Sequence, residues 1–149
     1  MSFWALPCDD LDTTYLAKAA SVTTGSGQPA VVSDSDRGSA KAITVNSFGK
    51  VAITFAATAT PMVGGAFKIA SLANALTLFS FLDAGTDQVR ISVNTDGTLQ
   101  AKRGTTAIGS PSTWSALTGA YYGIEVSVVI ADSGGTVEVR IGGSATPVL

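Results

Sequence analysis

Histidine is absent from this chain, and cysteine occurs once, at Cys8. Without histidine, neither a Ser-His-Asp triad nor a Cys-His pair is available for nucleophilic catalysis. The usual Cys/His zinc sites are excluded for the same reason. One cysteine closes no intrachain disulfide, so the redox compartment is not indicated. Cys8 stands between Pro7 and Asp9-Asp10, and acidic neighbours do not favour a reactive thiolate; it reads as a small structural residue. Charge is scarce as well. Only 13% of the 149 residues are charged, against about 25% in ordinary globular domains. The net charge is −2 with no basic cluster, so neither a nucleic-acid footprint nor a polybasic membrane patch is expected. No GxxxxGK[ST] or GxGxxG loop is present to cradle phosphate. No apolar run approaches the ~20 residues of a membrane-spanning helix. The opening MSFWALPCDD lacks the basic region and long apolar core of a secretory signal, which points to a chain made and folded in a cytoplasm.

What is present is strand periodicity. Residues 76–109 hold three strand-like runs, LTLFSFLD, QVRISVN and TLQAKRG. Turn chemistry separates them, first Ala84-Gly85-Thr86-Asp87 and then Thr95-Asp96-Gly97. In LTLFSFLD both faces are apolar, Leu76, Leu78 and Leu82 on one and Phe79 and Phe81 on the other. That pattern predicts a central strand buried on both sides, or a strand facing a subunit interface. In QVRISVN, Val89, Ile91 and Val93 are expected inward, and Arg90, Ser92 and Asn94 outward.

Further strands are expected in AKAITVN and KVAITFAAT, on either side of a Ser47-Phe48-Gly49 turn. Residues 23–37 read as loop and residues 58–65 (TATPMVGG) as a turn region, followed by the alternating AFKIASL. A Pro- and Ser-containing loop at residues 110–118 carries Trp114. The longest candidate is YYGIEVSVVIA at residues 121–131, with Ile124, Val126, Val128 and Ile130 on one face. A turn at Asp132-Ser133-Gly134-Gly135 joins it to TVEVRIG, and a last strand begins in GGSATPVL. No amphipathic helix and no fixed-period repeat are found. The expectation is one domain over residues 1–149, an all-β antiparallel β-sandwich or jelly roll. Residues 1–8, with Phe3 and Trp4, read as a terminal strand or an N-terminal tether.

The acids offer little chemistry. Asp9, Asp10 and Asp12 form one cluster and Asp34 and Asp36 another, but the first lacks a turn glycine and the second a following glutamate. Local capping by aspartate explains both, and no metal or cofactor is expected. Paired carboxylates for glycoside hydrolysis remain. The two glutamates of the chain, Glu125 and Glu138, fall on the polar faces of neighbouring strands. Arg140 shares the face of Glu138, so a solvated face with a cross-strand ion pair explains the same pattern. No enzyme activity is expected.

The segments FSFLDAGTDQVRISVNTDGTLQAKRGTTAIGSPS, LTGAYYGIE and VSVVIADSGGTVEVRIGG, in that order, resemble the concanavalin A-like (laminin G-type) jelly-roll structural proteins of tailed bacteriophages and prophages. The acidic opening CDDLDTTYL and the strand pair AFKIASLANALTLFSFLD resemble the same family, so the similarity extends over nearly the whole chain. Two departures stand out. The family's tryptophan before its "yyIE" is replaced here by Ala120 or Tyr121. Relatives also continue past the last hairpin with strands that return to the sheet, so the expectation is that this chain is shortened or that those strands come from elsewhere. An uncovered edge strand invites pairing with another chain.

The resemblance implies a virion component of capsid surface, tail or fibre, made in the host bacterial cytoplasm. Its partners would be other virion proteins and further copies of itself, with no nucleic acid and no membrane. The alternative is a carbohydrate-binding module recognising a host surface glycan, for which Trp114, Tyr121 and Tyr122 are the contact candidates.

Overall fold

The structure is a computed structural model. It describes residues 58–131 and 133–149, and the backbone of four short strands within residues 21–52. The chain divides into two compact units, one built on Thr58–Leu149 and the other lying within Trp4–Ala57. In the latter, β1 (Ser21–Thr23) pairs antiparallel with β4 (Lys50–Ala52), and β2 (Ala30–Ser33) with β3 (Lys41–Thr44). Strand β2 lies inside the stretch expected to be loop. Its Ala-Val-Val core carries the β-branched pair that favours extended backbone. Strands β3 and β4 fall where the sequence places them, each paired elsewhere rather than with the other. The Ser47-Phe48-Gly49 turn and the end of the expected strand KVAITFAAT, residues 53–57, lie outside the described residues.

Among the described residues, the unit on Thr58–Leu149 contains seven strands: β5 (Met62–Lys68), β6 (Leu76–Asp83), β7 (Thr86–Val93), β8 (Leu99–Arg103), β9 (Thr106–Ile108), β10 (Tyr121–Val129) and β11 (Thr136–Ile141). They form two antiparallel sheets, in the orders β6-β7-β8-β9 and β11-β10-β5. No helix occurs among the described residues, so none is long and apolar enough to cross a membrane, a fact silent on β-barrels. Both sheets contribute to one buried cluster. Val89, Ile91, Val93, Leu99 and Ala101 come from the first, and Ile124, Val126, Val128 and Val139 from the second. Phe67 of β5 meets Phe79 of β6 edge-to-face, centroids 5.0 Å apart, which ties one sheet to the other. The architecture is all-β and compatible with a β-sandwich.

Local chemistry explains the four-stranded meander. The β6–β7 connection is only Ala84-Gly85, both with positive φ (46° and 82°), the requirement of a two-residue I′ turn. The following Thr86 and Asp87 belong to β7, so the turn is shorter than the sequence suggests. Between β7 and β8, the Gly97 N–H donates to the Asn94 carbonyl and the Asn94 N–H to the Thr98 carbonyl. Gly97 is required there twice over. Its φ is +84°, and a Cβ would stand 2.4 Å from the Ala116 carbonyl oxygen. Residues 112–116 continue along β8 where β9 leaves off. The Ser112 N–H donates to the Leu99 carbonyl (2.8 Å), and the Leu99 N–H donates to Ser112 Oγ (2.9 Å).

Two expectations for this sheet are corrected. Among the described residues, strand β6 pairs with β7 alone and lies at the edge of its sheet, not at its centre. Leu76, Phe79 and Phe81 stand opposite Val93, Ile91 and Val89 respectively, all three of which are buried. The register shifts between Thr77 and Phe79, so a bulge at Leu78 resets the alternation. One core-facing row with an extra residue therefore reads, in sequence, as two apolar faces. Leu82 follows a second register shift and is 55% exposed. The other correction concerns Ser92. It faces away from Val89, Ile91 and Val93 as expected, yet it is buried, as is its cross-strand neighbour Gln100. The Gln100 amide donates to the carbonyls of Ile108 and Gly109.

The three-stranded sheet brings together strands far apart in sequence. Strand β10 is central, with Ile124, Val126 and Val128 inward as its period predicts. It pairs with β5 over seven consecutive residues without a register shift. Half of the expected turn at residues 58–65 is thus strand. Neither Gly64 nor Gly65 has positive φ, because the pairing with β10 holds both extended. At the far side of β11, Val139 exchanges backbone hydrogen bonds with Val148 and Leu149, but the strand expected to begin in GGSATPVL does not form.

Candidate functional site

The three aromatic candidates do not converge. Tyr121 and Tyr122 are adjacent on β10, so they project to opposite faces. Tyr122 packs against the core, and Trp114 meets its ring edge-on at 4.9 Å. The Tyr122 hydroxyl accepts the Leu117 N–H at 3.0 Å, fixing the loop that carries Trp114. Both rings thus anchor residues 110–120 to the sheet. Tyr121 lies on the other face, opposite Lys68, whose Nζ stands 5.5 Å from its ring centroid.

The glutamates lie on that outer face too. Glu125 is directly opposite Arg140, and Glu138 opposite Ser127, so the two acids are diagonal neighbours. Arg140 Nη2 donates to Glu138 Oε2 at 2.7 Å. The ion pair runs along β11 rather than across strands, which corrects the expected pairing. Met62, Ser127 and these three charged residues border a hollow of about 140 Å³. That is below the ~300–1,000 Å³ of ordinary ligand pockets. A larger cleft, about 330 Å³, opens between β9 and the C-terminal residues. Its walls include Ala101, Ile108, Pro111, Val137, Val148 and Leu149, and none of its lining side chains is ionisable.

Other charged groups serve turns. Thr98 donates to Asp96 Oδ1 through its hydroxyl (2.7 Å) and its N–H (2.9 Å), and together these hold the exposed Asp96 carboxyl below its usual pKa. Arg90 is paired with Asp87, while its Nε is buried with no acceptor among the described residues. Among the described residues, no group of three His, Cys, Asp or Glu side chains is placed to hold a metal ion. Cys8, Asp9, Asp10, Asp12, Asp34, Asp36 and the whole lead at residues 1–8 lie outside the described residues.

The surface that the sequence reading missed is the edge at β5. Met62 is 53% and Val63 37% exposed, and Gly64, Gly65 and Ala66 are exposed as well. The Gly-Gly pair reads as a turn. The signal that would have found the strand is the apolar run MVGGAF, which leads into AFKIASL without any polar residue.

No protein-family model, no curated protein and no solved structure matches this chain.

Proposed function

We propose that this chain is a non-enzymatic structural protein of a tailed-bacteriophage virion, a concanavalin A-like jelly roll acting as a capsid decoration, tail or fibre component through protein–protein packing. The observation that carries the reading is apolar surface left open on strand edges in a chain with only 13% charged residues. Met62 and Val63 on β5 and Leu76 and Leu82 on β6 are exposed. Apolar residues on strand edges are a hazard for a solitary protein and an asset for one that is covered in an assembly. The insertion of the whole β6–β9 meander between β5 and β10 supports the jelly-roll reading, since the chain leaves one sheet and returns to it. An enzymatic role is disfavoured, because Arg140 occupies Glu138 and the hollow beside them is small.

Mass spectrometry of purified particles from a host carrying this coding sequence tests the role. The chain is expected in the particles at a fixed copy number. Its presence in infected cells but absence from particles sinks the proposal. The carbohydrate-binding alternative rests on Tyr121 alone, since Trp114 and Tyr122 are committed to packing. Specific retention on a glycan array, lost in Tyr121→Ala, is the result that promotes it.

A further inference from the structure

Among the described residues, the outer edge of β5 is regular and carries no charge before Lys68 at its end. Natural edges are blunted by bulges, by charges, by proline or by brevity. Strand β5 spans seven residues in unbroken register with β10, and the ladder continues upstream, where the Val128 N–H donates to the Pro61 carbonyl. Proline stands before the strand, not in it, and the only charge is Lys68 at the end. Among the described residues β5 pairs with β10 alone, and every residue of it but Phe67 is exposed. Strand β6 provides the contrast within the same unit. Two register shifts break its pairing with β7, which twists such an edge away from a partner.

The chemistry of β5 suits one occupant in particular. MVGGAFK is complementary to itself when two copies run antiparallel about Gly65. In that register Val63 of one copy stands opposite Phe67 of the other. Both residues lie on the core side of their sheet, since they pair with Val126 and Tyr122 of β10. On the outer side Gly64 meets Ala66, and with no bulk at either position the two backbones close freely. Met62 meets Lys68. The two Lys68 side chains then lie at opposite ends, about 20 Å apart at ~3.3 Å per residue, whereas parallel pairing would bring like charges together.

We infer that β5 is a homodimerisation edge, pairing antiparallel with β5 of a second copy about a two-fold axis at Gly65. The two three-stranded sheets join into one continuous sheet of six. The interface is isologous and closed, so it forms a dimer rather than a fibre. It deepens the packing role proposed above by naming the contact and the partner.

Sedimentation of the full chain across a concentration series tests the pairing. The unaltered chain is expected as a dimer that dissociates on dilution. Ala66→Lys adds a charge on either side of the axis and is expected to weaken the dimer roughly tenfold or more, with the far-UV spectrum unchanged. Leu82→Lys, on the β6 edge, is expected to leave the dimer intact. Hydrogen exchange on the unaltered chain gives a second readout that needs no variant. Amides of residues 62–67 exchange more slowly at high than at low concentration, and those of β6 do not. A monomer at all concentrations, a dimer that survives Ala66→Lys, or concentration-dependent protection at β6 instead of β5 overturns the pairing. A monomer found in virions overturns this interface and leaves the structural role standing. A β5-paired dimer absent from virions does the reverse.

Discussion

The two sheets of the Thr58–Leu149 unit are built in opposite ways. The β6–β9 sheet is a meander, in which each strand pairs with the next through a short turn whose conformation its own residues dictate. The β11-β10-β5 sheet holds one local hairpin and one pairing that spans the entire meander. The first is therefore sensitive to backbone conformation at its turns. The second depends on burial along β10, because no local turn holds β5 in place. The edges differ as well. The meander's β6 is bulged, while β5 is regular.

Breaking the meander at its tightest point gives the largest expected effect. Gly97→Ala combines a left-handed backbone with a 2.4 Å approach to the Ala116 carbonyl, and is expected to cost about 4 kcal/mol. A urea titration showing a loss below about 1 kcal/mol would mean that residues 112–116 move aside freely. Next comes the centre of the composite sheet. Ile124→Ala removes a fully buried side chain from β10 and is expected to cost about 3 kcal/mol. Hydrogen exchange in that variant should rise in β5 more than in β7, since β5 has no other described strand partner. Equal rises would show that the two sheets unfold as one. The smallest effect sharpens the contrast from the other side. Ala84 has φ 46° at the β6–β7 turn, a conformation asparagine tolerates better, so Ala84→Asn is expected to stabilise by about 0.5–1 kcal/mol. A thermal melt of the variant, compared with the unaltered chain, measures it.

The meander was legible because its information is local. Asp96-Gly97 and Ala84-Gly85 mark their turns by residue type, and Val89, Ile91 and Val93 declare one buried face by their period. Strand β10 was legible for the same reason. The errors have local causes too. A bulge at Leu78 shifts the alternation by one and imitates a strand buried on both sides. Gly64-Gly65 imitates a turn, because glycine's freedom is visible in sequence while the partner that removes it is not. Of the candidate site residues, Trp114 and Tyr122 could be named but not judged. Whether an aromatic ring faces solvent or locks a loop depends on what packs against it, here the Trp114 ring on Tyr122 and the Leu117 N–H on its hydroxyl.

By itself, then, the sequence determined the all-β character of the described residues and the positions of most strands in the Thr58–Leu149 unit. Side-chain periodicity, turn residues and composition act over a few residues and need no distant partner. Only the tertiary structure decided which strands are central and which form edges. That depends on pairings such as Gly64 with Glu125, made across the whole β6–β9 meander.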